Sequence, residues 1–127
     1  MREVSETKIK EILEGNSESL NLEFKATFNF MDNIWARERL IRSILAMSNT
    51  RNGGYIVVGV GEKADKSIDV TGVSESDLSV FRTKIEDLKT KVESFSSFPV
   101  NYDIGLGGYD NKKFIVINVA EFLLNPS

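Results

Sequence analysis

Tyr55-Ile56-Val57-Val58-Gly59-Val60 is apolar on both faces of an extended strand. A strand that offers neither face to water belongs in the middle of a sheet covered on both sides. Asn49-Thr50-Arg51-Asn52-Gly53-Gly54 stands in front of it and reads as a turn, since Asn and Gly tolerate positive φ. Before that turn the spacing predicts a helix from about Asn33 to Ser48, with Ile34, Ile41, Leu45 and Ser48 in one stripe and Ile44 widening it. Behind the strand, Gly61 to Lys66 is a polar turn and Ile68 to Val73 a short returning strand.

Further out the same reading continues. Leu20 to Lys25 alternates strictly: Leu20, Leu22 and Phe24 share one face, Asn21, Glu23 and Lys25 the other, as in a half-buried strand. Ser5 can cap a first helix that carries Ile9, Ile12 and Leu13 on one face and stops at Gly15, with Val4 stapled to it. Ser74 and Asp77 form a capping box ahead of Leu78, Phe81, Ile85, Leu88, Val92 and Phe95, which recur at steps of three and four. That stripe lasts under three heptads and predicts docking onto the sheet rather than a coiled coil. Val100, Tyr102, Ile104 and Leu106 alternate along a strand, Gly107 to Asn111 turns, and Lys113 to Ala120 returns as a hairpin. The order is α-β-α-β-β-α-β-β, an α+β fold with a mixed, largely antiparallel sheet and helices packed on it.

The 127 residues suit one domain, with 41% apolar and 28% charged side chains, the balance of a folded rather than a disordered chain. The ending at Asn125-Pro126-Ser127, directly after a strand, suggests a fragment with further domains beyond it. Cysteine and histidine are both absent. Disulfides, thiolate or imidazole zinc sites, cysteine nucleophiles and Ser-His triads are thereby excluded. No apolar run approaches the length of a membrane span and no signal-peptide core follows Met1, so a cytoplasmic chain without membrane partners is expected. No G-x-x-x-x-G-K-[ST] occurs, and Gly59-Val60-Gly61 lacks dinucleotide-loop spacing, so neither ATP nor NAD is expected as a cofactor.

Three features stand out from the core pattern. Between Trp35 and Gly54, Arg37, Arg39, Arg42 and Arg51 face only Glu38, and Trp35, Arg39 and Arg42 share a helix face. Arginines beside an aromatic suit a phosphate backbone with base stacking; the plainer alternative is a solvated basic helix face in a chain of net charge −3. In the turn, the backbone amides around Asn49 and Asn52 can make an anion nest that Arg51 reinforces, or the glycines serve only the connection. Glu18 and Glu23 are spaced to share a hard divalent cation, or Glu23 pairs with Lys25 on a solvated strand face.

Glu18-(four residues)-Glu23-Phe24-Lys25, then Ile44-Leu45-Ala46-Met47-Ser48-Asn49-Thr50, then Gly53-Gly54-Tyr55-Ile56-Val57-Val58-Gly59-Val60, with Gly72-Val73 beyond, together resemble the Schlafen-type Alba-like domain, the Schlafen AlbA_2 family. The resemblance runs from about Glu18 to Pro126. It implies a DNA- or RNA-binding module, commonly part of a larger bacterial regulatory or defence protein such as a transcriptional regulator. Lys25, Trp35, Arg37, Arg39, Arg42, Asn49, Arg51 and Asn52 are its candidate nucleic-acid contacts. It also implies an alternative, a metal-dependent ribonuclease, because the nuclease branch carries three acids of which two match Glu18 and Glu23. The third position falls on Gly61, leaving Glu62 as the nearest carboxylate, and only that branch brings in Mg²⁺ or Mn²⁺. A third reading is a protein-interaction or self-associating domain that uses its long third helix and an edge strand.

Overall fold

The structure, a computed structural model, describes residues 1–15, 21–26, 34–65 and 67–123, with the backbone alone at 34–36. Its elements are β1 (Arg2–Val4), α1 (Glu6–Leu13), β2 (Asn21–Lys25), α2 (Ile34–Ser48), β3 (Gly54–Val58), β4 (Val60–Glu62), β5 (Ile68–Val70), α3 (Glu75–Phe95), β6 (Tyr102–Tyr109) and β7 (Lys112–Val119). The α+β class and the element order agree with the sequence, with two strands added: β1 at the front, and β4, which takes Val60 from the expected central strand and Gly61 and Glu62 from the expected polar turn.

Five strands form the main sheet in the order β1-β6-β7-β3-β2, parallel at both edges and antiparallel within, while β4 and β5 make a separate hairpin. β3 lies between β2 and β7 and every residue in it is buried, as its unbroken apolar run requires. Ile56 and Val58 join Ile104, Ile115 and Ile117 on the face covered by α2 and α3. Tyr55 and Val57 turn the other way, joining Phe114 and Val116 under Ile9 and Ile12 of α1. The apolar run ends at Gly59, whose N–H bonds the Lys25 carbonyl at 2.8 Å while its own carbonyl accepts from Thr71 and Gly72. The chain therefore leaves the sheet there, and β4 is a new strand beside the end of β2.

α1 and α3 begin where their caps predict: Ser5 Oγ accepts from the Lys8 N–H and Ser74 Oγ from the Asp77 N–H, both at 3.1 Å. Along α3, Leu78, Phe81, Leu88 and Val92 are buried against α2 and the sheet. α2 buries Leu40, Ile41, Ile44, Met47 and Ser48, so Leu40 and Met47 join the expected stripe and Leu45 sits half out of it.

Three details depart from the sequence expectation. Val4 belongs to β1, a three-residue edge strand whose parallel partners lie about a hundred residues away, so no local alternation announces it. The β6–β7 turn falls on Asp110 and Asn111, both at positive φ (53° and 60°), rather than on the glycines before them. Those glycines lie inside β6, and at Gly107 a Cβ would run into Ile9 of α1 and the backbone of Val4. On β2, Leu22 is 37% exposed, and Glu23 and Lys25, expected on the solvated face, are half-buried on the α2 side of the sheet.

Candidate nucleic-acid interface

Burying Leu40, Ile41, Ile44 and Met47 fixes which way the rest of α2 points. Arg39 and Arg42 fall on the opposite side and are exposed, with Ala46 and Asn49 continuing that side toward the turn. Arg51, one turn beyond the helix, is exposed too. None of the ion pairs among the described residues uses Arg39, Arg42 or Arg51. Arg37 is different: its Nη1 lies 3.0 Å from Asp87 Oδ2, which ties α2 to α3 and takes up the charge. Trp35 lies in the first turn of α2, and its side chain is outside the described residues.

The turn between α2 and β3 is held from several sides. Thr50 Oγ1 donates to the Ala46 carbonyl at 2.8 Å, and the Gly53 N–H to the Thr50 carbonyl at 2.9 Å. Asn21, at the start of β2, donates its side-chain amide to the carbonyls of Arg51 (3.3 Å) and Gly53 (3.1 Å). Asn52 and Gly53 have φ of 68° and 64°, and a Cβ at Gly53 would collide with the Val119 carbonyl. The Asn52 N–H donates to Glu121 Oε1 at 2.9 Å. The amide expected to receive an external anion thus already holds a carboxylate of this chain.

A matching pattern runs along nearly the whole sequence: a sequence model of the Schlafen AlbA_2 family fits residues 18–127. The chain belongs to that family. Among solved structures, the Schlafen AlbA_2 fold of this chain is similar to part of the DIP2311 protein from Corynebacterium diphtheriae, at 17% identity and a TM-score of 0.59 over 91% of this chain and 22% of that one. It is also similar to the N-terminal domain of a RecG-related protein from Nitrosomonas europaea, at 21% identity and a TM-score of 0.58 over 93% of this chain and 74% of that one. The chain therefore spans about a fifth of the first protein's chain. No curated protein matches it in sequence.

The acidic candidates are arranged differently from the arginines. Glu23 is paired in register with Ile56 in the middle of β2, and its Oε2 is enclosed without a hydrogen bond, 3.6 Å from Lys25 Nζ. That contact also occupies Lys25. Glu62 is exposed at the far end of β4, past Gly61, which lies beside Ala26 beyond the end of β2. Glu18 falls outside the described residues. Among the described residues no three acidic side chains gather into a group that could hold a metal. No helix among them is long and apolar enough to cross a membrane.

Sequence reasoning missed two residues of the site, Asn21 and Glu121. Both act through a single hydrogen-bonding group on a turn that is 30 and 69 positions away. No local periodicity carries such a signal; only the fold brings them there.

Proposed function

We propose that this Schlafen AlbA_2 domain binds nucleic acid through the outer face of α2 and the turn that follows it, as one module of a larger regulatory or defence protein. The observation that carries this reading is the exposure of Arg39, Arg42 and Arg51 without an acidic partner among the described residues. In a chain of net charge −3, guanidinium groups gathered on one face without an acidic partner among the described residues make a local positive patch that attracts an anion. Guanidinium suits phosphate oxygens in particular, because its planar donors bind them in pairs. The RecG-related structure adds support, since that protein is named for an ATP-dependent DNA helicase. Asn49, exposed beside the same face, adds an amide for a phosphate or sugar oxygen.

Fluorescently labelled single- and double-stranded DNA and RNA, titrated across salt with and without Mn²⁺, provide the test. Arg39→Glu with Arg42→Glu should weaken binding to every sequence about equally, by tenfold or more at low salt, because phosphate contacts carry no sequence information. Unchanged affinity in a double variant that melts normally would overturn the assignment of this face.

A further inference from the structure

We infer that Glu121 is a built-in competitor for phosphate at this interface, a proposal that rests on the nucleic-acid reading for its consequence but not for its chemistry. The Glu121 carboxylate accepts the Asn52 N–H at 2.9 Å, so it takes the backbone donor that a phosphate approaching Arg51 would otherwise meet. Its position is imposed by its neighbours rather than by the contact itself. The Ala120 N–H bonds the Asn101 carbonyl at 2.9 Å, and the Phe122 N–H bonds the Ser48 carbonyl at 2.7 Å. The Phe122 ring lies against Phe98 with centroids 4.2 Å apart. Anchored on both sides, the backbone at Glu121 stays beside Gly53, and the half-buried side chain reaches the turn.

The turn does not need this carboxylate for its shape. Asn21 already holds the Arg51 and Gly53 carbonyls, the Gly53 N–H closes onto Thr50, and the Gly53 backbone lies against Val119. The Asn52 N–H is a donor of the exposed part of the turn, and a negative charge stands on it. A phosphate that binds at Arg51 displaces the carboxylate or meets its repulsion. Either way Glu121 lowers affinity and makes the interface select ligands with enough phosphates to outcompete it. A unit charge about 6 Å from a phosphate, in a water-like dielectric, is worth about threefold in affinity at low salt.

Two variants separate competition from scaffolding. Glu121→Gln removes the charge and keeps an oxygen for the Asn52 N–H; Glu121→Ala removes the charge and frees the amide. Both should bind a labelled oligonucleotide at least about threefold more tightly than the unmodified chain at low salt. Inorganic phosphate, followed by the Asn52 amide resonance, should shift that resonance in Glu121→Ala at several-fold lower concentration than in the unmodified chain. A Glu121→Ala chain that melts normally but shows no phosphate shift at Asn52 overturns the inference, whatever the oligonucleotide does. Weaker oligonucleotide binding by Glu121→Ala with Glu121→Gln unchanged also overturns it, since that pattern belongs to a clamp. If the phosphate shift appears while Arg39→Glu with Arg42→Glu leaves oligonucleotide binding intact, Glu121 stands as an anion competitor and the helix-face assignment is what fails.

Discussion

Arg37 and Arg39 are two residues apart on α2 and meet opposite surroundings, because a helix turns about 200° over two residues. Arg37 swings toward α3 and meets Asp87 at 3.0 Å with its side chain 20% exposed; Arg39 stands in water. The two arginines should therefore separate in experiment. Arg37→Gln should lower stability by less than about 1 kcal/mol, the range of partly exposed ion pairs. Its effect on nucleic-acid affinity should stay within about twofold, since Asp87 already neutralises that charge. Arg39→Glu should do the reverse, leaving the denaturant midpoint in place while affinity falls. Urea titration and anisotropy on the same samples check both halves; a loss of affinity at Arg37 equal to that at Arg39 would extend the interface around α2 toward α3. At this scale the sequence is a good guide to residue type and a poor one to partnership. The arginine surplus is visible in the chain, whereas the division between Arg37 and Arg39 depends on where Asp87 lies, fifty positions away.

Among the elements, α3 is the one that sequence periodicity describes best and also the one that distinguishes a docked helix from a partner-binding one. Its caps, length and stripe follow from spacings of three and four. Phe81 is fully buried, whereas Ile85, on the same stripe, is only half-covered and packs at the margin of the cluster. Phe81→Ala should cost about 3–5 kcal/mol and Ile85→Ala at the low end of or below the usual 2–5 kcal/mol for a large aliphatic truncation. Equal small shifts in the denaturant midpoint for both would make α3 a surface element and favour the interaction-domain reading. β1 and the β6 glycines were illegible for a common physical reason. β1 exists because a strand a hundred residues later offers an unpaired edge, and Gly107 is glycine because α1 and β1 pass over it. Periodicity reports which face of an element is buried, never what buries it. The same limit explains β2, where the alternation was correct but the solvated side lies toward α2 and is half-covered.

For the molecule as a whole, electrostatics sets the sharpest expectation. The chain carries net charge −3, yet α2 and its turn present Arg39, Arg42 and Arg51 without acidic partners among the described residues. A phosphate at the interface feels these guanidinium groups at contact range and the acidic remainder at a distance, and salt screens the distant term first. At 0.1 M ionic strength the screening length is about 10 Å, so the local arginines dominate; near 0.01 M it is about 30 Å, and the whole negative surface is felt. If three arginines each meet a phosphate, log K should fall against log salt with a slope of about −2.7 on duplex DNA and about −2.1 on a single strand. Between 50 and 200 mM salt that is a loss of about 40-fold and about 20-fold respectively. Below about 20 mM the plot should flatten, because long-range repulsion by the acidic remainder grows as screening is withdrawn. A highly cationic binder shows no such flattening. Arg39→Glu with Arg42→Glu should leave at most one such contact and a slope no steeper than about −0.9 on the duplex. Anisotropy titrations at six or more salt concentrations measure both slopes. A slope near −2.7 that survives the double substitution would place the phosphate contacts on some other surface of the fold.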